Sequence, residues 1–292
     1  MVKYNPKTWF HLIFHSYSRQ VMKTLTPTLF FMTVYSILVC YFMIDFLKLQ
    51  EVSFHPTVAM HSLLGIVLGL FLVFRTNTAY DRWWEGRRLW GSLVNSTRNL
   101  ALKLNAYISK ENHEDRDWFS KMISNFVFAT KEGLRQGVQL NELEPVSESF
   151  FEDLKKYKHK PNRISALLYE KVNTLYKNGQ LTGDQLITID KELKDLIDIM
   201  GACERIKNTP IPYSYMMYLK KFIFIYIITL PFGFVTESGY FTVLIVLLIT
   251  FVLMSVELIA EEIEDPFGHD LNDLPTDELA LKIKENVAEI LL

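Results

Sequence analysis

Eighteen almost uncharged residues, Thr57 to Phe74, end abruptly at Arg75. That length lets a helix cross a bilayer. The chain then runs on as RTNTAYDRWWEGRRLWG, with adjacent tryptophans at Trp83 and Trp84, a third at Trp90, and arginines and acids that need water. A helix leaving hydrocarbon so sharply marks a membrane boundary, and arginine bias near span ends reports its cytoplasmic side.

Four apolar runs are present: Thr28 to Ile44, Thr57 to Phe74, Phe222 to Thr236 and Tyr240 to Val256. With flanking turns they predict transmembrane helices over about 28–47, 57–76, 219–236 and 240–257. Each sits near the lower limit for spanning, so tilt or burial against neighbours has to help. Pro231 removes a backbone donor in the third run and is expected to kink it. Only Glu237, Ser238 and Gly239 separate the third run from the fourth, which predicts a tight hairpin.

Lysine and arginine set the orientation. Lys3, Lys7, Arg19 and Lys23 flank the first run; Arg75, Arg82, Arg87, Arg88 and Arg98 follow the second; the loop between the third and fourth has none. Both termini and the long middle segment are therefore expected in the cytoplasm, with the protein in the cell's inner membrane. The N-terminal stretch MVKYNPKTWFHLIFHSYSRQ lacks a signal-peptide core and reads as an amphipathic segment on the membrane surface.

Hydrophobic residues make up 49% of the chain and charged residues 22%. That balance fits a membrane bundle joined to a soluble helical part, about 77–218 and 258–292. Val94–Ile108, Trp118–Gly133 and Leu186–Met200 carry apolar residues at three- and four-residue spacing, which predicts helices. Asn141–Arg163 predicts a short helix between loops. No segment alternates like a strand pair and no repeat is evident, so residues 1–292 read as one continuous all-α unit. The net charge of −2 gives no reason to expect nucleic acid. Cys40 and Cys203 are separated by context, which argues against a disulfide.

Motifs for catalysis are missing: no G-x-S-x-G, no phosphate-binding loop, no H-E-x-x-H and no dinucleotide fingerprint. The seven histidines are scattered, and such histidines are usually structural. The expected class is therefore not an enzyme. In the second run Ile66, Leu70 and Phe74 recur at every fourth residue and line one helical stripe. Gly65 and Gly69 beside them have the G-x-x-x-G spacing that lets helix backbones approach. The plain alternative is lipid-facing or core packing; the sharper one is a ring of such helices around a narrow apolar gate. After the fourth run come Glu257, Glu261, Glu262, Glu264, Asp265, Asp270, Asp273, Asp277 and Glu278, with no lysine or arginine among them. Carboxylates in such a turn suit a hard cation, while a solvated acidic face with helix-capping aspartates explains the same pattern.

The stretches RWWEGRRLWG at Arg82–Gly91, IPYSY at Ile211–Tyr215 and EDPFGHDLNDLP at Glu264–Pro275 resemble the bestrophin family, and the resemblance covers nearly the whole chain. It implies a bacterial-type homopentamer in a lipid bilayer, passing inorganic ions through one axial pore. The family's hydrophobic neck falls on Ile66, Leu70 and Phe74. A second constriction at the cytosolic mouth falls on Ile211, for which packing under the bundle is the alternative. The calcium clasp of animal members falls near Glu262, Asp265, Asp270 and Asp273. His269, Leu271 and Asn272 dilute that loop here, so calcium is not expected to be required. Whether anions or monovalent cations pass stays open. A membrane scaffold binding a partner through its cytosolic bundle is the alternative function. A transporter fits less well, because Pro231 has no counterpart in another run.

Overall fold

The computed structural model describes residues 19–48 and 56–292, and nothing but helices and turns is found among them. The N-terminal surface segment and the loop at 49–55 lie outside the described residues. Nine α-helices follow in chain order among the described residues: α1 (Arg19–Tyr41), α2 (Pro56–Tyr107), α3 (His113–Gly133), α4 (Phe150–Lys155), α5 (Lys160–Lys177), α6 (Gly183–Asn208), α7 (Tyr213–Ser238), α8 (Thr242–Glu264) and α9 (Thr276–Leu291). They sort into two compact units. One holds the described residues up to Arg82 together with Pro210–Glu264, and the other Trp83–Thr209 with Asp265–Leu292.

The first unit holds the apolar helices. Among the described residues three stretches are long and apolar enough to cross a membrane: Val21–Phe46, Val58–Tyr107 and Tyr213–Glu264. The last contains both α7 and α8. A straight helix of its 52 residues would run about 78 Å, far beyond one hydrocarbon core. A break at Gly239 divides it. Gly239 sits at φ 53° and ψ −136°, a backbone state that side chains disfavour, and a single 3-10 turn, Gly239–Phe241, leads into α8. The hairpin expected from Glu237–Gly239 is thereby formed. α7 runs through Pro231 without a break.

The core of this unit is an apolar cluster of Met32, Leu68, Leu72, Leu219, Ile223, Tyr226, Ile227, Leu230 and Val246, drawn from α1, α2, α7 and α8. The Gly65–Gly69 pair works differently from the close backbone approach that its spacing suggests. A Cβ on Gly65 would meet the Tyr226 hydroxyl at 2.6 Å, whereas Gly69 faces open space. Gly65 makes room for one phenol, which donates to the His61 carbonyl at 3.2 Å. His61 in turn lies over Gly233 and shares a 3.1 Å hydrogen bond with Thr229. It serves as a polar packing piece between α2 and α7.

The second unit is a helical bundle with its own core. Trp90, Leu93, Leu100 and Leu104 of α2 meet Phe119, Ile123 and Phe126 of α3, Leu168 of α5 and Leu193 of α6 in it. Replacing Phe126 with Ala there would cost about 3–5 kcal/mol. Local signals start its helices. Asn112 caps α3 by accepting from the Asp115 N–H, and Thr182 with Gln185 forms a reciprocal capping box for α6. His159 caps α5 through Nδ1, which gives one scattered histidine a structural role. The charged stretch 141–163 resolves into a 3-10 turn, the short α4 and the start of α5.

Candidate functional site

Ile66, Leu70 and Phe74 lie on α2 with 72%, 57% and 55% of their surface exposed. They share one uncharged stripe, which their own chain leaves uncovered. Leu63 and Val73, seven residues from Leu70 and Ile66 respectively, are equally open and widen the same apolar face. The opposite stripe is buried: Leu68, Leu72, Arg75 and Ala79 are at most 5% exposed. These four recur at the three- and four-residue spacing of a packed helix face.

Arg75 is the surprise in that stripe. The sequence places it where water should solvate it, yet it is fully buried. Its Nη2 donates to Glu264 Oε2 at 2.7 Å, and its Nε lies 3.7 Å from Glu257 Oε2. Arg82 donates through Nε to the Glu264 carbonyl at 3.1 Å. The acidic run is therefore not simply a solvated face. Glu257 is 4% exposed, and Glu261 pairs with Lys220 at 2.9 Å. The cations were legible in the sequence, but their partnership spans some 180 residues of chain.

The Thr209–Pro212 step is non-helical, as its two prolines demand. Ile211 is 8% exposed within its own chain. Its N–H, the only donor between Pro210 and Pro212, binds Glu264 Oε1 at 3.0 Å.

The loop after α8 is shaped partly by its own atoms. Asp273 is 2% exposed, and its Oδ2 accepts from the Asp270 N–H at 2.6 Å. Gly268 is needed beside it, since a Cβ there would meet the same oxygen at 2.7 Å. Among the described residues no group of three or more His, Cys, Asp or Glu side chains could hold a metal ion. Asp265 is exposed, and Glu262, on the last turns of α8, is half-buried.

The most conspicuous sequence motifs meet within the helical bundle. Gly86, in the tryptophan-rich stretch, lets Pro266 and Phe267 approach to 3.2 Å of where a Cβ would stand. Trp83 Nε1 donates to the Asn272 carbonyl at 2.9 Å. Arg135 donates to the Phe267 carbonyl at 3.1 Å. Arg135 also forms a two-pronged pair with Asp277, joined by Lys131 Nζ at 2.8 Å. Burial works against the charge on Lys131 and Arg135, but the carboxylates beside them raise both pKa values. The Arg135 hydrogen bonds hold Asp277 well below the usual carboxylate range, with Lys131 adding to them. Elsewhere in the bundle a cavity of about 540 Å³ between α5 and α6 is lined by Tyr169, Leu186, Ile187, Glu170 and Asp190. It presents carboxylates and no cation.

The family model for bacterial and fungal bestrophin proteins matches residues 1–289. The chain belongs to the bacterial and fungal bestrophin family. Its relatives include the voltage-dependent anion channel-forming protein alr2987 of Nostoc, 41% identical over 77% of this chain and 75% of that protein. The YneE protein of Escherichia coli K12, named in the same words, is 32% identical over 80% of this chain and 77% of its own. A solved bacterial bestrophin homologue from Klebsiella pneumoniae superposes with a TM-score of 0.82 at 28% identity, covering 91% of this chain and 98% of that one. The family and these relatives are channel proteins, so this bestrophin is a membrane protein of a channel family rather than of an enzyme family.

Proposed function

We propose that this bestrophin is a passive anion channel, a homopentamer in the inner membrane with four spans per chain and both termini in the cytoplasm. One observation carries the reading: α2 leaves the uncharged stripe Ile66, Leu70 and Phe74 exposed along a helix that crosses the apolar unit. A single chain of this size cannot enclose a pore with that stripe. Several copies around an axis bring five such stripes into rings, and apolar rings that narrow gate by losing their water. Anion passage is supported by the names of the relatives. It is not supplied by Arg75, whose charge is met by Glu257 and Glu264. A second constriction at Ile211 draws its support from the stiff turn between two prolines. Calcium is not required in this reading, since Asp273 Oδ2 is taken up in shaping the turn after α8.

Planar bilayers under a salt gradient test the reading. A reversal potential of the sign set by the anion gradient supports it, and one of the opposite sign makes the permeant ion a cation. Native mass measurement in detergent is expected to give five times the chain mass. A monomer or dimer as the sole species would sink the pore and favour a scaffold.

A further inference from the structure

Glu264 is the last residue of α8 and is held at three points. Its Oε2 accepts from Arg75 at 2.7 Å, its Oε1 from the Ile211 N–H at 3.0 Å, and its carbonyl from Arg82 at 3.1 Å. Arg75 depends on it. Among the described residues the Nε and Nη1 atoms of this buried guanidinium have no hydrogen-bond partner, and neither do the two oxygens of Glu257. Glu257 answers the charge from 3.7 Å, but among the described residues only Glu264 bonds it directly. A buried cation with one direct bond is strongly committed to that bond.

The place of Arg75 gives the bond its consequence. Arg75 follows Phe74, and neighbouring helical residues point about 100° apart. When α8 holds Arg75 inward, it sets the rotation of α2 at this turn and so the direction of Phe74. The Ile211 N–H matters because Pro210 and Pro212 have none to offer. It pins the second carboxylate oxygen and aims the first at Arg75. We propose that Glu264 is a positioning residue for the neck: through Arg75 it fixes the rotation of α2 that presents Phe74 to the pore axis. This rests on the reading of Ile66, Leu70 and Phe74 as a neck.

The test measures single-channel open probability in planar bilayers for the full-length protein carrying Glu264→Gln, Phe74→Ala, and both. Glutamine keeps the size of the side chain but has one acceptor for two donors and no charge for Arg75. Glu264→Gln is expected to assemble as wild type and to raise open probability by at least about two-fold, because a loosened Phe74 ring wets more easily. In the double variant the two gains are expected not to multiply, since both act at the same ring. A general loss of stability would not produce that specific non-additivity. Wild-type open probability in Glu264→Gln, a fall, or gains that multiply would overturn the proposal while leaving the neck intact, provided Phe74→Ala alone raises open probability. If Phe74→Ala conducts as wild type, the neck reading falls and the proposal with it. Should Glu264→Gln not assemble, Glu264→Asp replaces it. The shorter acid keeps the charge but cannot reach Arg75 and Ile211 together, and the same outcomes decide.

Discussion

Asp277→Asn tests how the bundle around α3 and α9 is held. Asp277 accepts from Arg135 Nη1 at 2.9 Å, from Arg135 Nη2 at 2.7 Å and from Lys131 at 2.8 Å. Both cation side chains are only 4% exposed, whereas that of Asp277 is 54% exposed. Charged hydrogen bonds to buried groups are worth about 1.5–3 kcal/mol each, but the open side of Asp277 lets water screen them. Asp277 also stands in the first turn of α9, where an acid adds about 0.3–1 kcal/mol. With that screening the substitution should cost about 2 kcal/mol in total, or about 4–8 °C in melting temperature for a unit of this size. The pH dependence has a definite sign. The folded-state pKa of Asp277 is depressed, so its contribution is complete above the unfolded value of about 3.9. It is lost as pH falls from there toward the lower folded value. Thermal melts of purified protein in detergent, followed by circular dichroism at pH 7 and pH 3, measure both effects. Asn should lower the melting temperature at pH 7 and shrink the gap between the two pH values. An unchanged melt at pH 7, or a full wild-type acid response in the variant, would refute the argument. Glu152→Gln, at an exposed pair with Lys155, is the control and should leave the melt unchanged.

The triple variant Ile66→Ala, Leu70→Ala and Phe74→Ala is expected to assemble and to raise current several-fold in planar bilayers; identical conduction would move the gate off α2. Ile211→Ala is expected to keep assembly and shift permeability ratios among ions of one charge. Unchanged ratios with a loss of about 2–5 kcal/mol of stability would make Ile211 a packing residue. A calcium chelator should leave current unaltered, while Asp273→Ala should destabilise the protein by about 1–3 kcal/mol through its orphaned turn; reversible activation by micromolar calcium would contradict this. Cys203 is 1% exposed, and burial with the nearby Glu204 and Glu85 charges pushes its thiol up to about 12. It should resist alkylation of the native protein at pH 8, and rapid labelling of a Cys40→Ser variant would show the bundle opens there.

Much of this molecule is written locally. Apolar runs long enough to span become helices because hydrocarbon leaves a backbone no other partner. Gly239 had to break α7 from α8, since a run of that length overshoots the bilayer. The stripe Ile66, Leu70 and Phe74 was legible because helical periodicity maps spacing onto a face. Arg75 marks the limit of such local reading. An arginine after an apolar run reads as the point where water begins, and only its spacing from Leu68, Leu72 and Ala79 hinted that it continues the buried stripe. Its partners, Glu257 and Glu264, lie far along the chain and on another helix. Their acidic run likewise looked solvated because no cation stands within it. The Gly65–Gly69 spacing promised a close helix pair, but the opposing face decided otherwise, with Tyr226 at one glycine and open space at the other. Sequence alone determined which segments are helical, which are apolar and where turns must fall, because these depend on neighbours in the chain. Tertiary structure decided which charges are paired, which glycines are filled and which face of α2 stays uncovered, because burial and ion pairing depend on what another segment places opposite.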